Sequence, residues 1–434
     1  MKIEINHNKY RYLSDNSQDI DNQTAFFCCE QNQPFLEDAK KNGAVDIVSP
    51  KELEEFFDIS DMKIIGITGT NGKTTTAAAI YSMLLDLDYK VAFQGTRGLY
   101  INEERVEGKT LTTPLLLGTM YNLFRAKKAG CEYFIMEVSS HAISQNRIEG
   151  LKFALKVFTN ITQDHLDYHG SFENYKRAKA SFFMDDTLKL INKDAKKIEF
   201  NIKNCYTYAL DAPASFNIMA YSLNNGIVAA IKYFRDQEQF SSSMHGFFNV
   251  YNLLAAIASV QLVTKRKLSE ICNVVENFAG VAGRMEVVSE RPLIIVDFAH
   301  TPDGMEKVLD SLKDKDISVV FGAGGDRDRK KRPMMGRVAN RYAKKIYLTN
   351  DNPRGEEPED IIDDIYVAIE QKDKVKIIVD RQKAIKMAID ELEEGEVILV
   401  LGKGDEEYQE IKGQKIAFDD RLIIRNIIKE KFNR

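Results

Sequence analysis

The apolar residues fall into short runs broken by glycine and polar clusters, and the character of those runs changes along the chain. Residues 1 to about 60 are polar and mixed, with one apolar patch, TAFFCC (24–29), and one strand-like run, AVDIVS (44–49). That is little apolar material for an independent core, so this piece is expected to lean on its neighbour. Near Asp61 the texture changes. KIIGIT (63–68) reads as a strand buried on both faces, and a helical stretch follows from Thr74 to Leu87. KVAFQG, YFIMEV, KVFTNIT and LKLIN repeat the strand pattern with helical segments between them. Such alternation predicts a largely parallel sheet covered on both faces. Residues 195–245 break the rhythm with short strand-like pieces and a polar SSSMHG, which predicts an antiparallel excursion or insertion.

A second alternating series starts near Arg284. Its strands are LIIVDFAH, ISVVFGAGG, KIYLTNDNPR, KVKIIVDR and EVILVLGKG, separated by helices such as TPDGMEKVLDSL and RQKAIKMAIDEL. Open α/β sheets bind ligands beyond the carboxyl ends of their strands. The loops DFAH, GAGGDRD, TNDNPR and GKGDEE are therefore expected along one edge. The predicted class is α/β in three domains: a small N-terminal α/β unit (1–60), a central mononucleotide-binding parallel sheet with a phosphate loop (61–283), and a C-terminal Rossmann-like domain (284–434).

Composition narrows the function classes. The 434 residues are 44% hydrophobic and 29% charged, ordinary for a globular protein, with a formal net charge of −5. That charge argues against a general nucleic-acid coat or a polybasic membrane anchor. No run approaches the roughly 20 apolar residues of a membrane span, and the opening MKIEINHNKYRYLSDN has no apolar stretch of signal-peptide type. Five cysteines without metal spacing read as reduced thiols. A cytoplasmic protein with no nucleic-acid and no membrane partner is expected.

The strongest local signal is GITGTNGKTTT, Gly66 to Thr76, between strand and helix. Gly69 and Gly72 let the backbone turn tightly and approach an anion, and the free N–H groups at the helix start point at phosphate. Lys73 would reach the β and γ phosphates of ATP and the Thr74 hydroxyl would ligate Mg²⁺, with Thr70, Asn71 and Thr75 beside them in the loop. The alternative is a threonine-capped glycine turn with Lys73 in solvent. Glu137, in MEVSSHAISQNR (136–147), ends a strand where a carboxylate can take Mg²⁺ directly or through water. His165 lies in a dense polar group, FTNITQDHLDYHG (158–170), with Asp164, Asp167 and His169. Arg284, in GVAGRMEVV (280–288), could reach phosphate or pair on the surface.

The phosphate loop departs from the generic pattern, which has glycine where this chain has Ile67. GTNGKTT instead resembles the loop of the Mur ligases and of the folylpolyglutamate synthases. EVSSH, the TN-x-x-x-DHLDYHG run and the lysine of NYKRAKASFF resemble the central domain of the Mur ligases. The resemblance covers about residues 61–434 and implies an ATP-dependent amide ligase. It implies Mg²⁺ held by Thr74, Glu137, His165 and a carbamylated Lys179, with Lys73, Lys179 and His165 as the catalytic residues. GFFNVYN (246–252) resembles the family's G-x-F-N-x-x-N, implying that Asn249 and Asn252 lie near the nucleotide. Arg284, Asp297 and His300 would be further ATP-side contacts.

LTTP (111–114) and SSHAISQNR resemble the branch of the family that adds the third residue of the peptidoglycan stem peptide. This implies that Thr112, Thr113, Ser139, Gln145 and Arg147 contact UDP-N-acetylmuramoyl-L-alanyl-D-glutamate. Where the family commonly shows D-S-R for the uridine end, this chain has Asn16, Ser17 and Gln18, which puts Ser17 in that place. TNDNPRGEEPED resembles the signature of ligases selecting meso-diaminopimelate, a lysine with an extra carboxylate beside its far amine. Arg354 would grip that carboxylate with two parallel hydrogen bonds and Asn352, next to Asp351, would add another. Lysine would leave the arginine unpaired. Arg327, Gly402 and Glu406 would hold the other end of the amino acid. The family usually has His where this chain has Asp405. A lysine-adding ligase and a folylpolyglutamate synthase are the rival readings, and the latter has no reason to carry both DNPR and SSHAISQNR. A monomer is expected.

Overall fold

KIIGIT forms strand Lys63–Thr68, and in the computed structural model of the chain it is the centre of the largest sheet. The structure describes all residues except Asn6, Asn225, Asn433 and Arg434, and not the side chain of Phe432. Strand Lys63–Thr68 lies between Tyr133–Glu137 and Phe153–Phe158, parallel to both. Val91–Gly95 extends the ladder on one side, and Lys189–Asn192, Cys205–Ala209 and Phe216–Ser222 extend it on the other, all parallel. This is the parallel sheet that the continuous apolar runs predict.

Both edges turn antiparallel. Ile227–Tyr233 and Asp236–Ser242 finish one side. The excursion expected at 195–245 is therefore split: its first two strands join the parallel ladder and only the last two turn back. Ile227–Tyr233 alternates buried and exposed positions, the pattern of a strand with one wet face. At the opposite edge Gly98–Ile101 and Glu104–Glu107 form a meander, too short and too polar to stand out in the sequence.

Helix Phe247–Thr264 is largely apolar because most of it is buried. By length and composition it would pass for a membrane span, yet most of it lies inside the protein. It packs against the helix that leaves the phosphate loop, Lys73–Asp86. Ala77, Ala79, Ala255, Ala256 and Ala258 are fully buried, and such small side chains let helix backbones approach closely.

The N-terminal segment forms a four-stranded sheet from Lys2–Glu4, Tyr12–Ser14, Thr24–Phe27 and Ile47–Val48. As its composition suggests, its own buried cluster is small, Ile20, Phe26 and Ala39. Leu13, Phe27, Leu53 and Phe57 share one buried cluster with Leu117, Leu123 and Phe134 of the central unit. Phe57 lies 5.5 Å from Phe124, centroid to centroid.

All five strands of the C-terminal series form. The sheet runs Glu286–Glu290, Leu293–Asp297, Val397–Leu401, Ile317–Phe321, Lys345–Leu348, Val375–Ile377, and only the first is antiparallel. The four expected loops accordingly leave the same edge. A fully buried pair braces two of them. Arg381 Nε and Nη2 donate to Asp420 at 2.8 and 2.7 Å, and the same guanidinium donates to Leu401 O at 2.9 Å and Asn350 O at 3.3 Å. Those carbonyls immediately precede Gly402 and Asp351.

Candidate active site

The strand-to-helix turn at Gly69–Lys73 owes its shape to two close approaches. A Cβ on Gly69 would stand 1.9 Å from Thr159 Oγ1, and one on Gly72 (φ +83°) 2.4 Å from Asn252 Oδ1. Neither position tolerates a side chain. Lys73 opens the helix, and its Nζ donates to the loop carbonyls Gly69 O (2.8 Å) and Thr70 O (2.9 Å). Thr70 Oγ1 is 2.9 Å from the Tyr175 hydroxyl, a partner the sequence reading missed. Thr75 is buried in the first turn of the helix.

Thr74 and Glu137 meet at the mouth of the loop. Thr74 Oγ1 donates to Glu137 Oε2 at 2.8 Å and the Thr96 N–H to Glu137 Oε1 at 2.9 Å. Burial raises the Glu137 carboxyl pKa, against the pull of Lys73 and these two donors. Lys179 reaches the back of the same loop, with Nζ 3.0 Å from Gly69 O and 3.3 Å from Thr68 Oγ1. Burial first, then repulsion from Lys73, drives its ammonium form well below the ordinary lysine range. A buried amine of this kind favours the neutral form.

His165 sits at a left-handed position (φ 51°), with Nε2 3.4 Å from Asp164 Oδ2 and its ring 4.8 Å from that of His141. Burial works to raise the Asp164 carboxyl, but His165, His300 and Lys73 outweigh it and hold it low. Among the described residues no three His, Cys, Asp or Glu side chains converge as a closed metal cluster. The donor chemistry still fits a hard cation: a hydroxyl and a carboxylate oxygen side by side at a phosphate loop are oxygen ligands of the type Mg²⁺ takes alongside substrate oxygens.

The nucleotide-side residues surround this loop. Asn252 Oδ1 is 3.4 Å from Thr76 Oγ1, and its Nδ2 donates to Asn249 Oδ1 at 2.8 Å. Arg284 lies 4.2 Å above the Phe298 ring. Asp297 is buried, and its two oxygens accept from the backbone N–H groups of Met285 and Ala299, both at 2.7 Å. That geometry makes it a brace for the segment carrying Arg284. Burial, with Lys331 nearby, pushes His300 down to about 4. Asn71 Nδ2 and Thr162 Oγ1 both donate to Asp303, at 2.8 and 2.9 Å, so the C-terminal unit touches the phosphate loop itself. Asp303 lies in the first turn of a helix and reads in the sequence only as an N-terminal acidic residue.

Thr112, Thr113, Ser139, Gln145 and Arg147 form one hydrogen-bonded network. Thr113 Oγ1 donates to Glu137 O (2.9 Å) and accepts from the Ser139 N–H (3.0 Å), while Thr112 Oγ1 is 3.1 Å from Thr96 Oγ1. Arg147 donates to Thr113 O and, through Nε, to Gln145 Oε1, each at 2.9 Å. Ser17 stands apart. It is buried in the N-terminal unit, where its carbonyl accepts from Asn42 Nδ2, and it makes no hydrogen bond to this network. Hydrogen bonds that do join the two units include Asn146 Nδ2 to Glu30 Oε2 and Lys127 Nζ to Asp58 Oδ2, each 2.8 Å.

The amino-acid candidates also come together. Asn352 Nδ2 donates to Glu406 Oε2 at 2.8 Å. Lys403 is fully buried and donates to both Asn352 Oδ1 (3.1 Å) and Glu406 Oε2 (3.0 Å). The sequence reading passed over it although it stands inside GKGDEE between two glycines. Gly402 (φ +110°) packs on Asp351, whose Oδ2 would lie 2.4 Å from a Cβ there. Arg354 Nη1 donates to Gly325 O (2.8 Å) and Nε to Glu410 (3.1 Å), leaving Nη2 without a protein acceptor among the described residues. Arg354 Nη1 and the Arg327 stem both flank Gly324, and Arg327 is exposed. Arg332 is fully buried and ties the GAGGDRD loop to Glu356 and Asp364; it too was missed.

Comparison with known proteins finds relatives over nearly the whole chain. Residues 67–260 match the Mur ligase middle domain and residues 283–404 the Mur ligase glutamate ligase domain. The chain is 51% identical over 430 residues to the UDP-N-acetylmuramoyl-L-alanyl-D-glutamate--2,6-diaminopimelate ligase of Wolinella succinogenes, covering 99% of each chain. It is 48% identical over 432 residues to the protein of the same name from Helicobacter pylori, covering 97% of this chain and 96% of that one. A solved structure of a ligase of that name superposes with a TM-score of 0.68 at 30% identity, over 96% of this chain and 94% of that one. A folylpolyglutamate synthase from Mycobacterium tuberculosis complexed with ADP and AMPPCP gives the same TM-score at 15% identity, over 89% of this chain and 95% of that one, a likeness of fold.

Proposed function

The chain belongs to the Mur ligase family, and from that premise we propose that it joins meso-2,6-diaminopimelate to UDP-N-acetylmuramoyl-L-alanyl-D-glutamate at the expense of ATP, in cytoplasmic peptidoglycan precursor synthesis. The observation that carries the choice of amino acid is the assembly of Asn352, Arg354 and Glu406 on adjacent loops, with one guanidinium nitrogen of Arg354 left without an acceptor among the described residues. The second carboxylate of diaminopimelate suits that nitrogen, and L-lysine has nothing to offer it. Residues 1–60, 61–283 and 284–434 would serve the UDP substrate, ATP and the amino acid respectively.

In this reading the D-Glu side-chain carboxylate attacks the γ-phosphate of ATP. Lys73, now resting on the loop's own carbonyls, exchanges them for phosphate oxygens and offsets the charge that develops there. Thr113, Ser139, Gln145 and Arg147 position the acceptor beside Glu137. Lys179, driven toward its neutral amine, captures CO₂ with loss of a proton and becomes an anionic oxygen ligand. With Thr74, Glu137 and His165 it would hold Mg²⁺, which when bound screens the phosphate charge. The amine of diaminopimelate, held between Glu406 and Arg354, then attacks the acyl phosphate, giving amide, ADP and phosphate. Asp303 keeps the two halves together across Asn71 and Thr162, which favours the orientation that the second attack needs.

Phosphate release from ATP in the presence of the UDP-muramoyl-dipeptide tests the proposal. Diaminopimelate is expected to stimulate it strongly and lysine weakly. No stimulation by either amino acid would remove the ligase reading, and equal rates would remove the selectivity argument. Arg354→Ala is expected to raise KM for diaminopimelate about 10- to 100-fold, corresponding to about 1.5–3 kcal/mol for a hydrogen bond to a charged group. Its KM for ATP is expected to stay unchanged in the same steady-state assay.

A further inference from the structure

Asp405 replaces the histidine usual in the family, and its surroundings are built for an anion. Its side chain is 13% exposed. Lys109 Nζ lies 3.2 Å from its Oδ2 and donates to its backbone carbonyl at 2.5 Å, and Arg97 Nε lies 3.8 Å from the same carboxylate oxygen. Both cations come from the central unit. Arg97 sits in the turn between Val91–Gly95 and Gly98–Ile101, and Lys109 follows Glu104–Glu107. Asp405 comes from the C-terminal unit, between Gly404 and Glu406.

The clasp joins three parts of the chain. Gly283, at the hinge, packs directly on the Asp405 backbone: a Cβ there would stand 2.0 Å from the Asp405 nitrogen. Gly404 packs on Gly283 O and on Phe298, the ring beneath Arg284. On the other side, Arg97 is next to Thr96, which touches both Glu137 and Thr112. Lys109 stands three residues before Thr112. Asp405 therefore ties the loop bearing Gly402 and Glu406 to the segment that contacts the phosphate-side carboxylate.

We propose that Asp405 is a positioning residue for the ligation, its carboxylate clasped by Arg97 and Lys109 so that the amino-acid loop is held closed over the central site. The proposal rests on the ligase reading above. The physical basis is a partly shielded anion between two cations, which attracts more strongly than an exposed pair and loses strength as salt rises. A histidine in this place would face two positive charges, so Arg97 and Lys109 suit the aspartate that this chain carries.

Asp405→Asn keeps the shape and removes the charge. It is expected to raise KM for diaminopimelate about three- to tenfold, with KM for ATP unchanged. Raising NaCl from 50 to 500 mM is expected to raise that KM in the parent protein and to leave the variant nearly flat. Lys109→Ala, made on the other unit, is expected to give the same shift, and adding Asp405→Asn to it is expected to change little more. Full additivity of the two substitutions, or an Asp405→Asn variant with the parent's KM and salt dependence, would overturn the proposal. If Asp405→Asn does not fold, Lys109→Ala and Arg97→Ala carry the test alone, and a parent-like KM in both would be decisive against it. A parent protein unresponsive to diaminopimelate would instead strike at the ligase reading, so the two failures are distinguishable.

Discussion

Replacing Lys179 by Ala is expected to lower kcat about 100- to 1000-fold, the range seen when a group aimed at developing transition-state charge is removed. The side chain is fully buried, and its amine donates to Thr68 Oγ1 and Gly69 O at the floor of the phosphate loop, 5.0 Å over the Tyr175 ring. A lysine held there as an ammonium ion would compete with Lys73 for Gly69 O. A lysine carrying CO₂ would instead add an oxygen anion facing Lys73. Lys179→Arg separates these possibilities, because a guanidinium stays protonated and takes up no CO₂. It is expected to be as inactive as Lys179→Ala in the phosphate-release assay, with circular dichroism unchanged. An arginine variant retaining a tenth or more of the parent kcat would show that the positive charge, not the carbamate, is what the site uses.

The second large effect concerns stability. Arg381→Met is expected to destabilise the C-terminal unit by about 3–5 kcal/mol, because it leaves the Asp420 carboxylate buried without its partner. It also removes the donors that hold Leu401 O and Asn350 O. The double variant Arg381→Met/Asp420→Leu is expected to recover much of the loss, since no lone charge then remains inside. Urea unfolding followed by circular dichroism reads both. A single variant within about 1 kcal/mol of the parent would contradict this account. The lost carbonyl contacts adjoin Asp351 and Gly402, so a raised KM for diaminopimelate is expected even where the fold survives.

Which features could be read in the sequence follows from how local their causes are. The central and C-terminal parallel strands announced themselves because a strand covered on both faces is apolar along its length, as VILVL is and as YFIM is ahead of Glu137. Gly98–Ile101 and Glu104–Glu107 did not, since an edge meander with wet faces needs no such run. The phosphate loop was legible because its glycines answer to close approaches by Thr159 and Asn252, a demand that leaves no other residue type open. Lys403, Arg332 and Asp303 were not. A buried cation looks like any surface lysine or arginine until its acceptors are known, and those stand 51 residues away for Lys403 to Asn352 and 24 for Arg332 to Glu356. Thr112, Thr113 and Arg147 were singled out through a resemblance, and only folding shows why they belong together: Thr113 is the hub to which Ser139 and Arg147 both bind.

The first sixty residues cannot be treated as a detachable cassette. Leu13, Phe27 and Phe57 are buried in one cluster with Leu117, Leu123 and Phe134. Grafting this segment from a relative would therefore demand that the graft match the host's helix Leu116–Lys128 side chain for side chain, in addition to whatever nucleotide chemistry it brings. A change of side-chain volume on the face beneath the small sheet is for that reason felt at once by the helix it covers, and the two surfaces have to be altered together.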